Sequence, residues 1–346
     1  VVSCPCALVI SIPLSFFSGI GGASKAGILV KGSNYLELLG KAKIAVFDKT
    51  GTLTKGVFKV VETCANGISE DDLLELAAYG EYYSNHPIAA SIKAAYKGTV
   101  QIDYLDGYEE ISGMGIKVLK DGKEVLVGNK KLLDSRKISM AGAKQPSKVG
   151  TVLFVAENGA YKGCITIADE IKDGVKDAIA SIKKCGIDNV VMLTGDKKEV
   201  ADSVAKELGI DTVCAELMPG DKVDKVEQLL REKDEDSTLI FTGDGINDAP
   251  VLMRADVGIA MGAMGQDAAI EAADIVLIDD DPGKIAVAYA IARKTVRIVQ
   301  QNIVFALAVK IIVMVLGALG FANMWAAVFA DVGVAFLAII NATRAL

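Results

Sequence analysis

The chain has 346 residues, 51% of them hydrophobic, and its 37 Lys+Arg against 44 Asp+Glu give a formal charge of −7. That composition excludes a disordered polyelectrolyte and a basic nucleic-acid binder, so no nucleic-acid partner is expected. The mean hydropathy of +0.38 is too apolar for an ordinary soluble enzyme, yet 23% of residues are charged, so the average conceals regions of different kinds.

Taken in chain order, Val1 to Ser24 carry no charged side chain, and a Cys4-Pro5-Cys6 run lies at their start. With no initiator Met and no basic leader, this segment reads as a truncated transmembrane helix rather than a signal peptide. The chain is accordingly expected to be the C-terminal part of something longer. Lys25, Lys31, Lys41 and Lys43 follow it, and Arg293, Lys294 and Arg297 precede the last apolar region, which by the positive-inside tendency puts everything between them in the cytoplasm. The scattered Cys64, Cys164, Cys185 and Cys214, with no CxxC pair, agree with a reducing compartment.

Three short apolar runs end in Asp or Gly-Asp: Ile44 to Phe47 before Asp48, Val190 to Leu193 before Thr194-Gly195-Asp196, and Leu239 to Phe241 before Thr242-Gly243-Asp244. Such runs suit strands of a parallel sheet covered on both faces. Amphipathic stretches at Asp173 to Cys185, Lys197 to Leu208 and Asp221 to Glu232 read as helices in a βαβαβ order, and Val257 to Ala260 and Ile275 to Ile278 extend the sheet. The fold class is α/β, with the site at the C-terminal strand ends. A stretch from 57 to 161 interrupts it, with helices predicted at Glu70 to Tyr79 and His86 to Tyr96 and strands at Gly115 to Leu119, Lys123 to Val127 and Thr151 to Ala156. It reads as an inserted α+β domain. Ile303 to Phe321 and Met324 to Ile340 then form an apolar helical hairpin around a predicted Ala322-Asn323 turn.

Carboxylates clustered at strand ends repel unless a cation lies between them, so Asp48, Asp244 and Asp248 suggest a Mg²⁺ site serving a phosphate substrate. Asp and Gly also simply make turns after strands, but three such turns with the same chemistry go beyond that. A P-loop is excluded: Gly40-Lys41 is followed by Ala42 and preceded by Tyr35 where Gly is required.

Four ordered motifs carry a resemblance. They are Asp48-Lys49-Thr50-Gly51-Thr52-Leu53-Thr54, Thr194-Gly195-Asp196, Met218-Pro219-Gly220-Asp221-Lys222, and Thr242-Gly243-Asp244-Gly245-Ile246-Asn247-Asp248-Ala249-Pro250. The chain resembles the P-type ATPases, whose core is similar to the haloacid-dehalogenase phosphatases. The resemblance implies that Asp48 attacks the γ-phosphate of ATP and becomes an aspartyl phosphate. It implies that Mg²⁺ is held by Asp48, Asp244 and the Thr50 carbonyl, that Lys222 and Thr194 balance phosphoryl charge, and that Gly195, Asp196, Asn247 and Asp248 complete the site. Two residues after the nucleophile those phosphatases carry a second Asp as general acid/base; here it is Thr50, which suits a lasting phosphoenzyme.

Glu81-Tyr82-Tyr83-Ser84-Asn85-His86-Pro87 resembles the nucleotide-binding domain of the heavy-metal branch, and Glu81, His86, Gly113, Gly115, Gly128 and Asn129 match its ATP-binding positions. The domains implied are a partial transmembrane helix (1–24), a linker and start of a phosphorylation domain (25–56), a nucleotide-binding domain (57–161), the rest of the phosphorylation domain (162–290) and a transmembrane hairpin (291–346). The resemblance begins within the family's sixth transmembrane segment, leaving the actuator domain outside the chain.

Pro5 kinks a helix at two thiol donors, Cys4 and Cys6, which is similar to the transport site of heavy-metal pumps. Lys310 and Asp331 are the only charges in the two hairpin helices, and intramembrane charges are costly unless they function or pair. Two thiolates and a carboxylate suit a borderline divalent ion, and Lys with Asp at these places resembles the zinc/cadmium/lead subgroup, Lys310 serving as counter-charge. Expected, therefore, is an ATP-driven Zn²⁺/Cd²⁺/Pb²⁺ exporter spanning the cell membrane several times, its partners ATP, metal and lipid bilayer and its catalytic domains cytoplasmic. A Cu⁺/Ag⁺ pump, for which Met314 and Met324 offer thioethers, and a membrane-tethered phosphatase are the alternatives.

Overall fold

A computed structural model describes residues 6–144, 146–245, 248–262, 267–321 and 324–346. In chain order the elements are α1 (Cys6–Lys25), β1 (Ile28–Val30), α2 (Ser33–Gly40), β2 (Ala42–Asp48), β3 (Thr54–Ala65), α3 (Glu70–Gly80), α4 (Pro87–Ala95), β4 (Leu105–Ile111), β5 (Gly115–Lys120), β6 (Lys123–Gly128), α5 (Lys130–Ser135), β7 (Thr151–Glu157) and β8 (Ala160–Ile171). They continue with α6 (Val175–Lys184), β9 (Asn189–Leu193), α7 (Lys198–Leu208), β10 (Thr212–Cys214), α8 (Pro219–Glu232), β11 (Thr238–Gly243), α9 (Ala249–Arg254), β12 (Val257–Met261), α10 (Asp267–Ala272), β13 (Ile275–Leu277), α11 (Gly283–Ala318), α12 (Met324–Val328) and α13 (Val334–Thr343). Residues 1–53 with 173–346 form one compact unit, and Thr54–Lys172 form the other.

In the first unit the sheet runs β1-β13-β12-β11-β2-β9-β10, parallel throughout except for β1, which pairs antiparallel with β13. Ala45, Val46 and Phe47 of β2 are all fully buried, because helices cover both faces of the sheet and a strand there has no polar side. Val46, Val191, Leu193, Leu239, Phe241, Val251 and Leu252 knit the strands to α9 in one core. From β2 the chain proceeds to β9 and β10 on one side, then returns to β11, β12 and β13 on the other. The order therefore reverses between β2 and β11, and the crevice beyond their C-terminal ends is where such sheets place a site.

The second unit is an antiparallel sheet, β3-β8-β7-β6-β5-β4. Leu73, Leu76 and Ala77 of α3 and Ile92 of α4 pack on Val118, Val125, Val127 and Ile165 of the sheet. Ser69 begins α3 with a reciprocal cap, accepting from the Asp72 amide at 3.0 Å while Asp72 accepts from the Ser69 amide.

One expectation is corrected. The insert spans Thr54–Lys172 rather than 57–161, because β3 and β8 pair from Thr54 opposite Ile171 to Ala65 opposite Gly163, and a boundary at 161 cuts that ladder. Helix α11 is continuous from Gly283, ahead of the apolar run, with Ile285, Ala288, Tyr289 and Ala292 buried and the helix in contact with α2 and α6. The second hairpin segment is helical as expected, with a widened turn over Phe329–Gly333 between α12 and α13. The predicted turn at Ala322-Asn323 lies outside the described residues. Helices α1 and α11 are long and apolar enough to cross a membrane.

Candidate active site

β2 ends on Asp48, and β11 ends on Gly243, immediately before Asp244. Adjacent parallel strands ending in register bring these carboxylates into one crevice, and Asp248, at the start of α9, closes it from the side. One ligand oxygen from each of Asp48, Asp244 and Asp248 lies within 4.8 Å of the others. Lys222, from the first turn of α8, donates to Asp48 Oδ1 at 2.6 Å and to Asp248 Oδ1 at 2.9 Å. Lys222 thus bridges two of the three clustered carboxylates.

The clustering shows in the pKa of Asp48. Burial, then the neighbouring Asp248, pushes Asp48 up from 3.8 to about 7 against the opposing pull of Lys222. For Lys222, burial alone would lower the ammonium pKa, but Asp48 and Asp248 outweigh it and the net shift is upward, so Lys222 stays charged.

The loop Lys49–Leu53 turns directly beneath the carboxylates. Gly51 has φ +75°, and a Cβ there would fall 1.6 Å from Asp244 Oδ2, so a side chain at this position displaces the site itself. Thr50 sits in the same loop with extended backbone, φ −74° and ψ 129°. Lys49 is buried and pairs with Asp196 at 2.5 Å. That pair was not foreseen in roles; its signal was the charge of Lys49 within the motif after a buried strand. Thr194 closes the end of β9, its amide donating to Cys214 and its hydroxyl accepting from the Asp196 amide at 3.1 Å. Gly195 lies against the Leu217 carbonyl, 3.2 Å from where a Cβ would stand. Asn247 lies outside the described residues.

A donor set of three clustered carboxylate oxygens, over a glycine that leaves space for no side chain, fits a hard divalent cation such as Mg²⁺.

In the second unit, Glu81 follows α3 directly and is buried, and that burial raises its carboxyl pKa. The end of α3 lies on β6, since a Cβ on Gly80 would come 2.4 Å from Val127 Cγ2, next to Gly128. Gly115 and Gly128 face each other across β5 and β6, and a Cβ on Gly128 would stand 2.2 Å from the Met114 carbonyl. Asn129 caps α5 by accepting from Leu132 and donates to the Gly113 carbonyl at 2.8 Å, tying the β4–β5 turn to the start of that helix. His86 is exposed and caps α4, its Nδ1 accepting from the Ile88 amide at 3.2 Å. A cleft of about 320 Å³ opens nearby, lined by Tyr83, Leu105, Asp106, Gly107, Tyr108 and Val118.

In the apolar region, Lys310 on α11 and Asp331 in the widened turn are both half-buried, and that turn packs against α1 and α11. Cys4 and the Cys6 side chain lie outside the described residues.

A parallel sheet with an aspartate at the end of an inner strand, a second acidic loop beside it and a lysine bridging them defines a phosphoryl-handling hydrolase core. The chain belongs to the haloacid dehalogenase-like hydrolase family, whose profile matches residues 42–256. Its sequence is 56% identical to a "Cadmium, zinc and cobalt-transporting ATPase" of Bacillus subtilis over all of this chain and 49% of that protein. It is 54% identical to a "Zinc-transporting ATPase" of Synechocystis over 99% of this chain and 47% of that one. The chain thus spans about half the length of the curated relatives it matches. Among solved structures, a zinc-transporting PIB-type ATPase in the E2.Pi state superposes over 100% of this chain and 56% of its own, with TM-score 0.85 and 35% identity.

Proposed function

We propose that this chain is the catalytic and C-terminal membrane part of an ATP-driven exporter of divalent heavy-metal cations, Zn²⁺, Cd²⁺ or Pb²⁺, working through an aspartyl phosphate. The observation that carries the reading is the convergence of Asp48, Asp244, Asp248 and Lys222 at the strand ends, with Thr50 rather than an acid two residues after the nucleophile. The named relatives support the cargo.

In this mechanism an Asp48 carboxylate oxygen attacks the γ-phosphorus of ATP, a phosphorus–oxygen bond to Asp48 forms, and the bond to the β-phosphate oxygen breaks with its electron pair leaving on ADP. Mg²⁺, when bound by Asp48, Asp244 and the Thr50 carbonyl, supplies the positive charge that keeps the nucleophile ionised and offsets the phosphoryl oxygens. Lys222 holds Asp48 and Asp248 in place and offers its ammonium to the charge that spreads over the transferring group. Thr50 has no proton-transfer group to activate water, so the phosphoenzyme persists. The second unit binds the nucleotide through Glu81, His86, Gly113, Gly115, Gly128 and Asn129. Cys4, Cys6 and Asp331 receive the metal within the cell membrane, Lys310 standing as counter-charge and Asn247 completing the catalytic shell.

The test is incubation with γ-labelled ATP and Mg²⁺. An acid-stable, hydroxylamine-sensitive phosphoenzyme that vanishes in Asp48→Asn is expected; none at all would sink the reading. In the full-length protein, ATP hydrolysis should rise with Zn²⁺ or Cd²⁺ and be lost in Asp331→Ala, and stimulation by Cu⁺ alone would overturn the choice of cargo.

A further inference from the structure

We propose that a basic cleft between the end of α2 and one face of α11 binds the headgroup of an anionic phospholipid, its phosphodiester seated on Arg293 and Arg297. This rests on α11 crossing a bilayer, as the reading above requires, and adds a lipid site to it. The cleft measures about 240 Å³ and is lined by Gly40, Lys41, Arg293, Val296, Arg297 and Gln300. On α11 the four lining residues fall at i, i+3, i+4 and i+7, so they share one face of the helix.

Local sequence explains how the cleft forms. Gly40 ends α2 against α11, a Cβ there standing in ordinary contact with Val296 Cγ2 at 3.4 Å and the Ala292 carbonyl carbon at 3.5 Å. This contact between the helices sets Lys41 and the two arginines around the same cleft. Arg293 is held in place, donating from Nη1 to the Cys185 carbonyl at 3.0 Å and lying 5.8 Å over the Tyr289 ring. Lys41 pairs at 2.9 Å with Glu37, both half exposed, an ion pair of the kind that contributes little in water and releases readily. Arg297 has no ion-pair or hydrogen-bond partner among the described residues. Two planar guanidinium forks on one wall match a phosphate oxygen pair better than any single lysine does.

Depth selects a lipid rather than a free anion. Large apolar side chains stand exposed along α11 from Val304 onward, seven residues past Arg297. At 1.5 Å per residue that is about 10 Å, close to the headgroup layer that flanks the hydrocarbon core, and a long arginine covers the remainder. Val296 gives the cleft an apolar wall on which the glycerol end of a lipid can rest.

The experiment places the whole chain in nanodiscs of phosphatidylcholine containing a minor fraction of phosphatidylglycerol and counts retained lipids by native mass spectrometry. Wild type is expected to retain phosphatidylglycerol over phosphatidylcholine. Arg297→Gln should lower that preference about five-fold, the usual effect of one basic residue at an anionic surface, and Arg293→Gln with Arg297→Gln should lower it further. Arg297→Lys should keep most of it, and Lys294→Gln, off the lining face, should leave it unchanged. Equal loss in Lys294→Gln would reveal diffuse attraction, and full displacement by inorganic phosphate would reveal a free-anion site; either overturns the proposal. A chain that embeds but shows no lipid preference overturns it too, whereas failure to embed refutes the membrane reading itself.

Discussion

Replacing Asp48 by Asn should stabilise the metal-free protein, by an amount that grows as pH rises from about 4 to about 7 and is level above that. The buried Asp48 carboxyl has its pKa raised from 3.8 to about 7, by burial first and Asp248 second. A raised folded-state pKa means the folded protein holds that proton more tightly than the unfolded chain, so the favourable contribution is complete below about pH 4 and is lost as pH rises through about 7. With 1.36 kcal/mol per unit, a shift of roughly 3 units sets about 4 kcal/mol against the folded state at pH 8, as an order of magnitude. Asn resembles the protonated acid and escapes that cost. In a unit of this size the gain corresponds to a rise of about 10 °C in Tm. Differential scanning calorimetry in detergent with a chelator, at about pH 4 and about pH 8, reads the effect directly. The variant should gain at pH 8, match wild type at pH 4, and respond less than wild type to added Mg²⁺. Equal gains at both pH values, or destabilisation at pH 8, would refute the reasoning.

Lys222→Met removes the cation shared by Asp48 and Asp248, leaves buried like charges facing one another, and should cost about 3 kcal/mol in chelator, with Mg²⁺ restoring a good part of the loss; thermal unfolding with and without Mg²⁺ checks this. Gly51→Ala drives a methyl into Asp244, so the chain should fold but lose its Mg²⁺-dependent rise in Tm, and a preserved rise would show that the loop can yield. Asn129→Ala removes a helix cap and the tie to Gly113; it should cost about 1 kcal/mol and weaken ATP binding measured by isothermal titration.

The parallel core was legible because its strands are covered on both sides and therefore read as unbroken apolar runs, and because each is followed by a turn rich in Gly, Thr and Asp. The carboxylate cluster was legible for the same reason: neighbouring strands that end together must bring their terminal residues together. What escaped was set by pairing between distant parts of the chain. Neither the extension of β3 and β8 to Thr54 and Ile171 nor the antiparallel edge strand β1 leaves a local mark, since a three-residue Ile28-Leu29-Val30 run has too few residues to show a period. Cys64 and Cys164 read as scattered thiols, yet the register sets them directly opposite on β3 and β8. The full extent of α11 leaves no local mark, because Arg293, Lys294 and Arg297 mark a change of solvent and a helix passes through such a change without interruption. The cap that His86 gives α4 has no mark in the sequence beyond a polar side chain just before Pro87.

The unbroken α11 has a mechanical consequence. Its 36 residues, at 1.5 Å each, make a rod of about 54 Å with no proline inside it. Near its base, Tyr289 donates to the carbonyl of Ala42, at the opposite end of the strand that terminates in Asp48. A rod fixed in this way moves as one piece with the sheet. A tilt of about 5° about Tyr289 displaces Lys310, about 32 Å along the rod, by about 3 Å. Small adjustments around β2 are thereby magnified with distance along α11, toward Lys310 and the turn bearing Asp331.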